Sequence, residues 1–472
     1  MAKNKNTIRS KLYSYQLQCL EFVLRVLAVG CGAALLLDMG LGKTIISLAV
    51  ISELFIRSHI RKVLIVCPNT LLKLWEHEAQ KFADFPYKFV IVTGNKDKKS
   101  RLLREAAEYD GTNVLMIVAI SYDSMRNYVT DLIKYAPDMI IADEGHKMKD
   151  KRTMQSQCMH MLGDAARYKL LLTGTPICND ERDIWSQYRF LDSSVFGDYF
   201  SFWRRYFFKS GAYEICFKSE MKEDLRENIF SIGIRLEKKE CLDLPGITYT
   251  EIPVVLEPSA MKEYKRLWYD RMLKFTDESI VSPKNILTEL LRLSQFTGGF
   301  VTDENGRSVS VSNAKLNALS ELLDSIIEEK HKAVVIAHYV PELKAIEELL
   351  DNKGIDYARY RGAISNAERN EGLKKFDNDP ECKVLVAQLQ TVGLGLNLTV
   401  ASKIIFYSVS YSAADYNQCR DRIYRIGQTE KCQCFHLVAQ DTIDEDILYA
   451  IANKESIAHH IIDKYGLKVK SA

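Results

Sequence analysis

The chain has 472 residues, 47% of them apolar, with 64 basic against 62 acidic side chains and a net charge of +2. That length exceeds what one hydrophobic core usually serves, so two or three domains are expected. The near-zero balance excludes a histone-like binder or a basic tail, although a local basic stripe is enough for phosphate contact.

The first residues, Met1–Lys11, are polar and lack the apolar core of a secretion signal. The apolar stretch around Leu27–Leu37 is too short and too glycine-rich to span a bilayer. The 11 cysteines are scattered. Cys432 and Cys434 are close, but no second pair completes a zinc site, so reduced intracellular thiols are expected.

Short apolar runs then recur at Ala33–Leu37, Val63–Val66, Phe89–Val92, Val114–Ile120, Met139–Ala142 and Leu170–Leu172. Most are apolar continuously, which predicts strands buried on both faces of a parallel sheet. Tyr15–Val29 and Leu71–Phe82 read as helices between them. The βαβα pattern predicts a doubly wound α/β lobe over residues 1–179. Residues 180–239 differ. Trp185, Phe190, Phe196, Phe200, Trp203, Tyr206 and Phe207 recur at roughly helical spacing, predicting a helical protrusion with its own aromatic core. Strand candidates return at Val334–Ala337, Val384–Ala387, Lys403–Tyr407 and Cys434–Val438, with helices at Pro341–Asn352, Asn366–Phe376 and Ala413–Arg425. A second α/β lobe over 240–472 is expected, with a helical insertion near 272–311 and a C-terminal brace helix.

Three clusters carry chemistry. Asp38-Met39-Gly40-Leu41-Gly42-Lys43-Thr44 follows a strand and opens a helix. Its glycines let backbone N–H groups converge on phosphate oxygens, Lys43 reaches the β- and γ-phosphates, and Thr44 holds magnesium. Leu37 stands where the strict motif has glycine, so this is a variant loop. Asp143-Glu144-Gly145-His146 ends an apolar strand, where Asp143 serves Mg2+ and Glu144 orients the attacking water. Gln418, Arg422 and Arg425, spaced i, i+4, i+7 on an expected helix, share one face, and the two arginines can neutralise charge on the transferring phosphoryl group. On their own these three also fit a solvated basic face.

Together the motifs resemble helicase superfamily two, specifically the Swi/Snf-type DNA translocases, from about Tyr13 to Lys454. Leu12–Gln16 resembles the Q-type adenine motif, making Gln16 the base contact. Asp38–Thr44 resembles the family's D-E-M-G-L-G-K-T loop, with Asp38 in place of Glu. Cys67–Trp75 resembles motif Ia and Ser121–Tyr122 motif Ib, which implies DNA contacts by Asn69, Thr70, Lys73, Trp75, Ser121 and Tyr122. Leu172–Pro176 resembles the T-G-T-P coupling motif, implicating Thr173, Thr175 and Asn179. In lobe two, Lys315 precedes motif IV, and Tyr360–Gly362 with Arg369 resembles the Arg-x-x-G region. Gln390–Leu398 resembles motif V, and Arg422–Gln428 the R-x-x-R-I-G-Q signature. This implies DNA contacts by His338, Arg361, Thr391 and Asn397, and a nucleotide contact by Gly395.

The resemblance implies two tandem RecA-like lobes, with ATP and Mg2+ as cofactors and double-stranded DNA as partner. It also implies a monomeric intracellular motor without membrane contact, with the composite site formed as lobe two closes. Tyr407–Ser412 replaces the family's D-x-x-W-N-P stretch, and Leu293–Gly299 its L-R-Q-x-C-N-H-P run. Both departures point to a small microbial or phage-like branch. A strand-separating DNA or RNA helicase is the alternative, but no wedge element is identifiable. A non-enzymatic recruitment subunit should lack the lysine, the acidic pair or the arginines, and all are present.

Overall fold

The computed structural model describes residues 8–30, 32–109, 113–174, 176–177, 180–210, 214–241, 245–277, 283–302, 307–362, 364–392 and 396–453, with 460 and 464. The chain folds as two compact units, Met1–Leu242 and Asp243–Ala472.

Among the described residues, unit one contains a seven-stranded sheet. Its strands are β1 (Gly32–Leu37), β2 (Lys62–Cys67), β3 (Tyr87–Ile91), β4 (Leu115–Ser121), β5 (Met139–Asp143) and β6 (Tyr168–Leu172). An antiparallel hairpin follows, β7 (Phe207–Ser210) with β8 (Glu214–Phe217), and then β9 (Gly233–Leu236) returns to the sheet. The order is β3-β4-β2-β5-β6-β1-β9, with every neighbouring pair parallel. The central runs are wholly apolar and wholly buried because helices cover both faces. The six expected strands are thus found within one or two residues, whereas the hairpin β7–β8 and the strand β9 fall inside the expected helical protrusion. Its Gly-Ile-Arg-Leu is only half apolar, and it sits at the sheet edge.

Residues 180–239 form helices at Asp183–Leu191, Tyr199–Tyr206 and Lys222–Ile232, beside the hairpin. Tyr188, Phe190, Phe196, Phe202, Tyr206 and Phe207 are buried in the same core as the sheet face, whereas Phe200 is exposed. The aromatic stripe is core.

Unit two holds the antiparallel pair β11 (Phe300–Thr302) and β12 (Ser308–Ser310), which interrupts a six-stranded parallel sheet among the described residues. That sheet consists of β10 (Ile247–Val254), β13 (Ala333–Ala337), β14 (Tyr357–Tyr360), β15 (Val384–Gln388), β16 (Lys403–Phe406) and β17 (Cys432–Ala439), in the order β10-β17-β16-β13-β15-β14. Helices Pro258–Asp277 and Pro283–Thr297 precede the hairpin. No helix among the described residues is long and apolar enough to cross a membrane.

The two departures from the family pattern meet in unit two. The Tyr407 hydroxyl donates to Gly298 O at 3.1 Å, and Lys315 Nζ to Tyr407 O at 3.2 Å. Lys315 pairs with Asp444 Oδ2 at 2.5 Å, and Asp444 Oδ1 accepts from Thr297 Oγ1 at 2.7 Å. Next to this, the buried Glu342 Oε2 accepts from Ser408 Oγ and from the His338 and Tyr339 N–H groups. The Tyr407 side chain of one segment thus holds a backbone carbonyl of the other, and the Lys315–Asp444 pair links Tyr407 O to Thr297. Burial raises the Glu342 carboxyl from 4.5 to about 7, against the pull of its hydrogen bonds and of Lys315. The folded carboxyl holds its proton more tightly than the unfolded one. Its stabilisation is therefore full below pH 4.5 and is lost as pH rises through 7. The Tm of unit two should fall as pH rises from 4.5 to about 7, by roughly 2–4 °C per kcal/mol lost. Glu342→Gln should flatten that slope in thermal melts; an unchanged slope would remove Glu342 as its source.

Candidate active site

The wholly buried β1 delivers the chain to a loop whose Gly40 and Gly42 have φ of 86° and 83°, the left-handed region that suits glycine. Gly42 caps the helix Lys43–Ile56. A Cβ on Gly42 would lie 2.5 Å from Gln16 Nε2. Gln16 is buried, donates from Nε2 to Leu41 O at 3.2 Å, and accepts the Tyr13 N–H at 3.0 Å. Tyr15 also donates to Leu41 O, so two side chains pin the loop at the buried Leu41. Lys43 Nζ donates to Leu37 O at 2.8 Å, and Thr44 is the next helical residue. Gly174 lies alongside: a Cβ there would be 3.3 Å from Leu37 O and 3.9 Å from both Lys43 Nζ and Met39 N. The cradle is lined by backbone and lysine, the donor set a polyphosphate needs. Thr173, wholly buried, fixes this stretch by donating its N–H to Leu35 O.

Asp38, expected at the nucleotide, uses its carboxylate elsewhere. Its Oδ2 accepts the Lys238 N–H at 3.1 Å, and its own N–H donates to Leu236 O. This joins the loop to the segment after β9. Thr175, Asn179 and Gly395 lie outside the described residues.

β5 ends in the acidic pair, and both carboxylates are buried. Asp143 Oδ1 accepts the Glu144 N–H at 2.9 Å, and Oδ2 accepts the Trp75 indole N–H at 2.9 Å. Burial, then the Glu144 charge, raise the Asp143 carboxyl to about 6, while the Trp75 hydrogen bond and the Lys43 charge pull it down. Glu144 sits at φ 54°, ψ 53°, a left-handed conformation costing on the order of 1–3 kcal/mol for a non-glycine residue. His146 Nδ1 lies 3.3 Å from Glu144 Oε2. Gly145 admits no side chain, because a Cβ would fall 2.3 Å from Leu171 Cδ1.

The residues expected at DNA divide. Asn69, Thr70 and Lys73 are exposed beyond the end of β2, and Asn397 is exposed in unit two. Trp75 is 1% and Tyr122 4% exposed, so neither presents a face to a duplex. Ser121 is also buried, its hydroxyl capping the turn Tyr122–Met125 by accepting the Ser124 N–H. His338 and Thr391 are half-buried, and Arg361 pairs with Glu347 at 3.4 Å.

In unit two the helix bearing Gln418 starts at Ala413, capped by Ser412, and ends at Arg420 rather than Arg425. Arg422 and Arg425 therefore do not continue its face. Arg420 is engaged by Asp421 and Tyr249. Irregular turns follow: Arg422 N–H donates to Cys419 O and Ile423 N–H to Arg420 O. Arg422 O accepts the Leu398 N–H, and Arg425 Nη1 donates to Leu396 O at 2.9 Å. Both arginines are thus seated against the motif V segment. Gln428 ties the segment after the helix to its surroundings: its Nε2 donates to Ile423 O, Ala401 O and, more weakly, Thr399 O, while its Oε1 accepts the Glu430 N–H.

A model described as the SNF2-related domain matches residues 15–299, more than half of the chain. The chain belongs to the SNF2-related family. The helicase conserved C-terminal domain matches residues 314–427. Mycoplasma pneumoniae has an "Uncharacterized ATP-dependent helicase" that is 28% identical over 450 residues, 95% of this chain and 42% of that protein. The DNA repair and recombination protein RDH54 of Saccharomyces cerevisiae is 26% identical over 487 residues, 93% of this chain and 52% of that one. The chain thus spans about half the length of these relatives. The solved Sulfolobus solfataricus SWI2/SNF2 ATPase core in complex with dsDNA aligns over 97% of this chain and 94% of that one, at 27% identity and a TM-score of 0.47.

Two residues of this SNF2-related chain do something their motifs alone did not state. Trp75 serves the acidic pair, and helical spacing already aligned it with Leu72 and Ala79 on a buried face. Gln428, the last residue of R-I-G-Q, holds four backbone groups and no substrate-facing position. Gln428→Ala leaves those groups unsatisfied in a buried place, at about 1–3 kcal/mol. Thermal melts should show a lowered Tm for unit two with nucleotide affinity unchanged. A variant that melts like wild type would contradict this role.

Proposed function

We propose that the chain is an ATP-driven double-stranded DNA translocase that remodels protein–DNA complexes. The observation that carries this reading is that Lys43 and the buried Asp143–Glu144 pair follow β1 and β5 of one parallel sheet, with exposed Asn69, Thr70 and Lys73 following β2. A phosphate site and a polar track at one sheet edge fit a nucleotide-coupled machine. The name of the yeast relative, a DNA repair and recombination protein, supports DNA over RNA.

In this reading Lys43 leaves Leu37 O and engages the β- and γ-phosphates, while Gln16 and Tyr15 keep the loop in shape. Thr44 and Asp143 would hold Mg2+, which supplies charge neutralisation on the phosphate oxygens. Glu144 orients the attacking water. Arg422 and Arg425 are assigned to the charge developing on the transferring phosphoryl group. Asn69, Thr70 and Lys73 contact duplex phosphates, giving sequence-tolerant, salt-sensitive binding. His338, Arg361, Thr391 and Asn397 are assigned to the same backbone track.

ATP turnover should be measured without nucleic acid and with single-stranded DNA, duplex DNA and RNA. Duplex DNA should stimulate most; stimulation by RNA alone overturns the proposal. Triplex displacement without unwinding of a forked duplex should separate translocation from strand separation. Lys43→Ala should abolish turnover. Arg425→Ala should keep nucleotide binding and lower kcat by about 10³–10⁵-fold.

A further inference from the structure

Trp75 has the composition of a surface contact and the environment of a core residue. It lies on the helix Leu72–Phe82, which begins directly after the exposed Asn69 and Thr70 and carries the exposed Lys73. Its ring packs inward, and its indole N–H ends on Asp143 Oδ2 at 2.9 Å. The other oxygen, Oδ1, is taken by the Glu144 N–H at 2.9 Å. One donor on each oxygen fixes the plane of the carboxylate. The second of these bonds also helps hold Glu144 in its left-handed conformation. Asp143 is thus the hub through which Trp75 reaches Glu144. Tyr122 approaches the same pair from the end of β4: it is 4% exposed, its hydroxyl has no hydrogen-bond partner among the described residues, and it lies in the field of Asp143 and Glu144. Cys67, closing β2, is buried and stands in the field of Asp143 as well. The acidic pair is therefore held by Trp75 from the helix after β2 and shares its surroundings with the buried ends of β2 and β4. These are the segments whose outer residues face solvent.

We propose that Trp75 is a positioning residue for ATP hydrolysis, tying the orientation of Asp143 and Glu144 to the exposed segment Asn69–Lys73. From Asn69 to the carboxylate the path is six residues of backbone and one hydrogen bond. A phosphate ligand that moves the start of the helix moves the indole donor with it. The inference rests on the ATPase reading above and adds a route by which nucleic acid changes turnover. Its scale follows from general behaviour: removing the partner that orients a metal-binding carboxylate costs about 10–100-fold in metal affinity or activity.

The test uses the full chain carrying Trp75→Phe, which keeps most of the buried ring and removes the N–H. Three quantities decide it: binding of a fluorescent ATP analogue in EDTA, its dependence on added Mg2+, and the ratio of duplex-stimulated to basal turnover. The expected result is unchanged analogue binding in EDTA and a Mg2+ requirement raised about 10–100-fold. Duplex affinity should be unchanged while the stimulation ratio collapses. A wild-type Mg2+ requirement together with a wild-type ratio overturns the proposal. So does lost duplex affinity with a normal Mg2+ requirement, which would make Trp75 a DNA contact. If the unmodified chain hydrolyses no ATP, the functional reading fails separately, and the Mg2+ titration of analogue binding still tests this inference. If Trp75→Phe does not fold, the unmodified sequence labelled with 5-fluorotryptophan serves instead. Its four tryptophans give four signals, assigned by replacing Trp185, Trp203 and Trp268 one at a time. The Trp75 signal should move when Mg2+ is added to the analogue-bound chain; a stationary signal overturns the proposal.

Discussion

Parallel pairing is the constraint on which the site depends. Every neighbouring pair in the two large sheets runs parallel, so each strand ends on the same edge as its neighbours. Each return helix must then cross a face, and the loops leaving the carboxyl ends collect along one edge. In unit one those loops are Asp38–Lys43, Pro68–Leu71, Glu144–Met148 and Thr173–Gly174. Residues separated by more than a hundred positions come together with no disulfide, since the described cysteines are all free. The apolar strand interiors allow this by making the sheet rigid, and the chemistry is confined to where the apolar run stops.

Taking carboxylates out of water at such an edge is costly, and the two units handle it differently. Glu342 in unit two is ringed by two backbone N–H groups and the Ser408 hydroxyl, and what it organises is the packing of a loop. Asp143 has one backbone donor and one indole donor, stands in the field of Lys43, and has a second carboxylate as its neighbour. Both titrate well above an ordinary carboxyl because burial dominates. Perturbation by itself does not separate architecture from catalysis.

Much of this was legible in the chain. Continuous apolar runs located the central strands, and the G-L-G-K-T and D-E-G-H strings fall where β1 and β5 end. Of the edge strands only β3 was legible, from Phe89–Val92. β9 has four residues, β14 is Tyr-Ala-Arg-Tyr, and β10 is exposed or half-buried along most of its length, so none of these three shows the continuous apolar run of a central strand. The helix end at Arg420 was hidden because Ile423 and Tyr424 extend the apolar period past the residue where the helix stops. Trp75 and Tyr122 were misassigned to the surface because motif identity outweighed periodicity. Their neighbours Asn69 and Lys73 are exposed, and side chains a few residues apart on a helix point to opposite sides.

The join between Asp38 and the segment after β9 has a mechanical meaning. β9 runs beside β1 through the pairs Ala34–Gly233 to Leu37–Leu236, and Asp38 then takes the Lys238 N–H. The chain passes from there, within a few residues, to the boundary at Leu242. A pull on the chain at that boundary meets no slack loop before it reaches a four-residue ladder and one carboxylate on the phosphate loop. The residue just beyond that ladder on β1, Asp38, is the one that opens the loop. Traction on the connecting chain is therefore in series with the nucleotide cradle.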